Sequence, residues 1–239
     1  MKLKTIVLFR IIMFFCFSVN SQNSEFRDYE GQKNKFTSTI KSNNAFNKGR
    51  DFYNSGDFRN AIFHFTITIE EDKKQNYLST DALINRASAY TQLGEYGNAI
   101  FDYKLVIENE NDKTYLIIAY VGRGGIYGFQ EKFDLAIMDF NSALELNPND
   151  VDTLYNLARL KVQKRDYLSG LELLNQAQNE YQKQQIEEPL ILSSILYMKG
   201  VSKYSLNKGD YCDDFNLALN YRESLVIEQI NLIEKMCVQ

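Results

Sequence analysis

The chain repeats one short phrase, and that repetition limits what it can fold into. The clearest copy is Phe133-Asp-Leu-Ala-Ile-Met-Asp-Phe-Asn-Ser-Ala-Leu-Glu-Leu-Asn-Pro148. Phe133, Ala136, Ile137, Phe140, Ala143 and Leu144 recur at three- and four-residue spacing, which predicts an amphipathic helix with one apolar face. Related phrases begin at Phe58, Tyr96, Tyr167 and, in worn form, Tyr211. Each is preceded by a second helical segment and a polar turn: Ser55-Gly-Asp57, Leu93-Gly-Glu95, Gln130-Glu-Lys132, Lys164-Arg-Asp166 and Lys208-Gly-Asp210. The pattern is helix, tight turn, helix, five times over.

The register inside the phrases is regular. Ala61, Ala99, Ala136 and Gly170 follow one another at steps of 38, 37 and 34 residues. Gly49, Ala87, Gly124, Ala158 and Gly200 hold a small place in the first helices, and Phe52, Tyr90 and Tyr127 hold an aromatic place after it. These residues resemble the tetratricopeptide repeat family, whose helix-turn-helix units are about 34 residues long. The resemblance covers about 42–222. It departs at Lys161, where an aromatic is expected, and at Gly170 and Asp214, where alanine is expected. Extra residues near 72–79 and 110–116 are read as longer linkers.

The resemblance implies an all-α fold, a right-handed α-solenoid of stacked helix-turn-helix units with a C-terminal capping helix. Five repeats are expected at 42–76, 80–112, 117–149, 151–185 and 189–222. A single unit leaves an apolar face uncovered, so neighbours must stack and the last one needs a cap. Residues 223–239, with Leu225, Val226, Ile230, Leu232 and Ile233 on one face, are expected to supply it.

Residues 1–21 read as an export signal. Lys2 and Lys4 precede a short apolar core from Ile11 to Val19, and Val19 and Ser21 allow cleavage ahead of Gln22. Arg10 interrupts the run, leaving it short of a spanning helix of about 20 residues. Cleavage and retention as an anchor both fit the segment, and Met13, Phe14 and Phe15 make Cys16 a poor lipidation site. Residues 22–41 are polar and aperiodic, a flexible lead-in, with a helix cap expected at Ser42-Asn-Asn44. Cleavage would take three basic residues from 27 and none of the 31 acidic ones, leaving 24 against 31 and a net charge of −7. With no basic cluster, a nucleic-acid partner is not expected. The expected location is periplasmic or secreted, most simply a bacterial cell envelope.

Cys212 and Cys237 would be the only cysteines of the mature chain, at the start of one helix and the end of the next. Antiparallel packing of those helices lets the thiols meet, and export favours a structural disulfide. A similar cysteine-bearing final hairpin occurs in other exported proteins of this repeat type. Two separately buried thiols are the alternative.

The family resemblance also implies that the first helices line a groove. Phe46, Arg50, Tyr53, Ile84, Asn85, Val121, Tyr155, Arg159 and Tyr197 fall on that face. Aromatics and arginines are favoured anchors for a partner, and arginine holds carboxylates bidentately. Asn85 matches one member of the family's chaperone-binding clamp. Phe46, Arg50, Ile118 and Gly122 stand where that clamp has Lys, Asn, Lys and Arg. Gly122-Arg-Gly-Gly-Ile-Tyr-Gly128 does not fit a phosphate loop, and a single histidine, His64, cannot assemble a metal site alone. No cofactor, metal or catalytic constellation is expected. The reading is a non-catalytic module that binds a protein or peptide partner in the cell envelope. A scaffold subunit of an envelope assembly or secretion complex is the alternative.

Overall fold

In a computed structural model the described residues are 40–73 and 76–237; the expected leader and nearly all of the lead-in lie outside them. Among the described residues there are eleven α-helices and no strand: α1 (Ile40–Asn54), α2 (Phe58–Lys73), α3 (Thr80–Gln92), α4 (Tyr96–Asn109), α5 (Lys113–Phe129), α6 (Phe133–Leu146), α7 (Val151–Gln163), α8 (Tyr167–Lys183), α9 (Pro189–Ser205), α10 (Tyr211–Leu219) and α11 (Ile227–Cys237). The chain divides into two compact units, residues 1–132 and 133–239. No helix of the described residues is long and apolar enough to cross a membrane.

The turns follow from residue chemistry. Gly56 and Gly94 adopt left-handed backbone, at φ 80° and 76°, which glycine enters without a Cβ clash. Glu131, Arg165 and Asn207 take that conformation at the other turns, at some steric cost. Asp57, Asp112, Asp150 and Asp166 then cap helices by accepting from Asn60, Thr114, Thr153 and Ser169 backbone N–H. Pro189 opens α9, where its missing N–H is harmless.

Three expected boundaries move. Ser42 is not a cap but an interior residue of α1, because its hydroxyl donates instead to Asp72 across the hairpin at 2.6 Å. The extra residues near 113–116 lengthen α5 rather than a linker, since Asp112 caps a helix starting at Lys113. The capping helix begins at Ile227, after a 3₁₀ turn at Arg222–Ser224.

In the first unit, α1 packs on α2, α3 on α4, and each hairpin on the next, with α1 beside α3 and α3 beside α5. Small residues set the approach. A Cβ built on Gly49 would sit 2.6 Å from the Phe65 ring, and one on Gly122 would sit 2.4 Å from Tyr103. Phe65 and Tyr103 are both essentially fully buried. Between α3 and α4, Arg86 Nε and Nη2 donate to the two oxygens of Asp102 at 2.8 and 2.7 Å, and Nη1 donates to Thr66. Burial pushes the Asp102 carboxyl up, and Arg86 opposes it.

In the second unit, α7 packs with α8, α8 with α9, α9 with α10, and α10 with α11. The departures from the repeat pattern have local reasons. Gly170 accepts the Val162 methyl, 2.7 Å from where a Cβ would stand. Asp214, in an alanine place and buried, pairs with Lys203 at 2.7 Å and Lys199 at 3.4 Å. Gly200 lets the Phe215 ring approach to 2.4 Å of a built Cβ. The Cα atoms of Cys212 and Cys237 lie 5.4 Å apart, with the sulfurs in bonding contact. Ile230 and Ile233 of α11 are buried.

Candidate functional site

The first helices of the first unit bring six of the nine candidate residues onto neighbouring helices: Phe46, Arg50 and Tyr53 on α1, Ile84 and Asn85 on α3, and Val121 on α5. Arg50 is exposed, while Phe46, Tyr53, Asn85 and Val121 are half-buried. The ring of Phe46 leans on Phe65 and that of Tyr53 on Phe58, which fixes both aromatics against the core cluster around Ala61, Phe65 and Ala89. Burial raises the Tyr53 phenol despite its hydrogen bond with Gln92, so the ring stays neutral. Ile84 is 6% exposed and belongs to the core. Asn85 spends one amide N–H on the Asp81 carbonyl, at 2.7 Å.

A polar seam fixes the N-terminal ends of these helices. Asp72 accepts from Ser42 and from Ser79, Thr80 donates to Glu110 at 2.7 Å, and the Tyr115 hydroxyl donates to Asp81 at 3.2 Å. Burial pushes the Asp81 carboxyl up; Tyr115 and Arg50 pull it down, and Glu110 adds to the rise. Tyr77 is pushed to about 12 by burial and by Asp81, Asp72 and Glu110. No sequence signal marks this seam, because its members come from four helices and two linkers and share no motif.

The other three candidates lie in the second unit and are closed off. Tyr155, Arg159 and Tyr197 are 5%, 6% and 6% exposed. Tyr197 packs its ring 5.7 Å from Phe215, and burial raises its phenol to about 12. These side chains, with Ile84, are packing residues, which narrows the accessible surface to α1, Asn85 and Val121.

A different set is open. Phe63 and Phe101 are each 59% exposed, and Met138 is 64% exposed. All three stand two residues after the small residue of a second helix, Ala61, Ala99 or Ala136. That register was readable in the sequence.

Sequence profiles of the tetratricopeptide repeat match residues 46–109 and 117–150. Those two stretches belong to the tetratricopeptide repeat family. Solved repeat proteins share the fold at low identity. A thermophilic repeat protein of Thermus thermophilus is 14% identical, with a TM-score of 0.61 over 81% of this chain and 97% of its own. MamA of Desulfovibrio magneticus is 15% identical, with a TM-score of 0.61 over 78% of this chain and 98% of its own. YrrB, described as a repeat protein with an unusual peptide-binding site, is 14% identical, with a TM-score of 0.54 over 80% of this chain and 91% of its own. No curated protein sequence matches the chain.

Proposed function

We propose that this repeat protein is a non-catalytic interaction module whose α1, α3 and α5 surface holds an extended segment of a protein partner. The observation that carries the reading is Arg50. It is exposed, with Phe46 and Tyr53 one turn to either side, on a helix whose adjoining face is pinned at Gly49 against Phe65. A guanidinium flanked by two rings fixed against the core is pre-organised for a carboxylate or a backbone carbonyl next to an apolar side chain. The shared fold with YrrB supports peptide capture as a use of this architecture. The partner belongs to the cell envelope: residues 1–21 act as an export signal, and the Cys212–Cys237 bond forms in the oxidising compartment reached.

Peptides selected from a random library against the protein should lose about tenfold or more in affinity on Arg50→Ala, as a central anchor does. They should be indifferent to Phe101→Ala. Equal affinity for wild type and Arg50→Ala contradicts the reading. Phe63 and Phe101 favour a second one, a scaffold subunit docked through its second helices. Selected partners sensitive to Phe101→Ala alone would support it.

A further inference from the structure

The first repeat lacks an acid that the second one has. In the second, Arg86 and Asp102 stand 16 residues apart and form the buried two-pronged pair. The same 16-residue interval joins Lys48 to His64 in the first repeat, so an imidazole occupies the place of the carboxylate. Burial, and then the charge of Lys48, keep His64 below its ordinary value, so at neutral pH the ring carries no charge. Phe52 stacks on the ring at 5.3 Å and Phe63 meets it edge-on, fixing its position, and the His64 Nδ1 makes no hydrogen bond. Lys48 makes no ion pair among the described residues, whereas Lys41 is paired with Glu71.

These residues frame an open recess of 480 Å³, lined by Lys41, Asn44, Ala45 and Lys48 of α1 and by His64 and Ile67 of α2. It combines an uncompensated ammonium, an amide and an apolar wall of Ala45 and Ile67. Lysine donates up to three hydrogen bonds and the asparagine amide two more, so a carboxylate oxygen pair can be met from both sides. The walls suit the methylenes that carry such a carboxylate.

We propose that the recess is a carboxylate site, in which an acidic group of a peptide segment binds Lys48 and Asn44 and gives Lys48 the kind of partner that Asp102 gives Arg86 in the second repeat. The group is a glutamate or aspartate side chain or a chain terminus. The site is independent of the surface at Arg50. Lys48 and Arg50 are two residues apart, which places them about 160° apart around α1. Loss of either site leaves the other intact.

His64 is the only histidine in the chain, so its imidazole resonances report on the recess alone. The protein is titrated by NMR at fixed ionic strength with millimolar acetyl-Ala-Glu-Ala-amide, with acetyl-Ala-Gln-Ala bearing a free C-terminal carboxylate, and with neutral acetyl-Ala-Gln-Ala-amide. A bound carboxylate offsets Lys48, so one or both acidic peptides should raise the His64 pKa by about half a unit or more, and the neutral peptide should not. Comparing the two acidic peptides assigns the source of the carboxylate. Lys48→Met should raise the His64 pKa without peptide and abolish the peptide-dependent shift. His64→Asp should rebuild the repeat's own pair, raising Tm and removing stabilisation by the acidic peptides. The proposal is overturned if neither acidic peptide shifts His64, or if the shift persists with the neutral peptide or in Lys48→Met.

Discussion

Arg50 and Arg159 occupy the same place in the repeat, one residue after a small residue of a first helix, yet one is exposed and the other is 6% exposed. Phe46 and Tyr197 form a similar contrast, half-buried against 6% exposed. The register of a helical repeat says which face a residue occupies. Whether that face is open depends on the elements packed beside it. In this chain the first helices of the first unit keep open positions such as Arg50, while Tyr155, Arg159 and Tyr197 on those of the second unit are buried.

The largest expected effect tests the closed half. Tyr197→Ala removes a ring packed against Phe215 and should cost about 3–5 kcal/mol in chemical denaturation. A loss below 1 kcal/mol would mean that the α9 surface is open after all. Next comes the cross-link between α10 and α11. Closing a loop of 25 residues is worth about 3.5 kcal/mol in the chain-entropy model, so reduction should lower the stability of oxidised protein by about that much. Two reactive thiols in denatured, unreduced protein would contradict the bond itself.

Asp152 adds a pH test at the start of α7. Burial, with Asp150 and Glu188 nearby, raises its carboxyl to about 7. The folded protein therefore holds this proton more tightly than the unfolded chain, whose aspartate titrates near 4. The group leaves stability untouched below about pH 4 and erodes it as pH rises toward 7, with no further loss above. Asp152→Asn should be about 1–3 kcal/mol more stable than wild type at pH 8 and gain little at pH 4, seen in paired melting curves. A constant difference across that range would refute the assignment. The smallest effect belongs to the open half: Arg50→Ala should change stability by no more than about 0.5 kcal/mol, since the side chain is exposed. A larger change would make Arg50 a structural residue.

The helices and their turns were legible because each is signalled locally. Gly56 and Gly94 marked left-handed turns, and the small residues at 49 and 200 marked the close approaches that Phe65 and Phe215 make. Burial along the first helices was not legible. Tyr155 and Tyr197 read like groove residues because an exposed tyrosine and a core tyrosine look alike in one sequence, and only the packed neighbours separate them. The Asp72 and Asp81 seam was hidden for a related reason. Its hydrogen bonds join residues up to 34 positions apart, which no local spacing rule reaches.

The central claim is that the first-unit surface around Arg50 receives the partner. A photo-crosslinking residue placed in turn at positions 53, 85, 121, 63 and 101 tests it directly in intact cells. One and the same adduct is expected from 53, 85 and 121, competed away by a selected peptide, and none from 63 or 101. An adduct confined to 63 and 101 would contradict it.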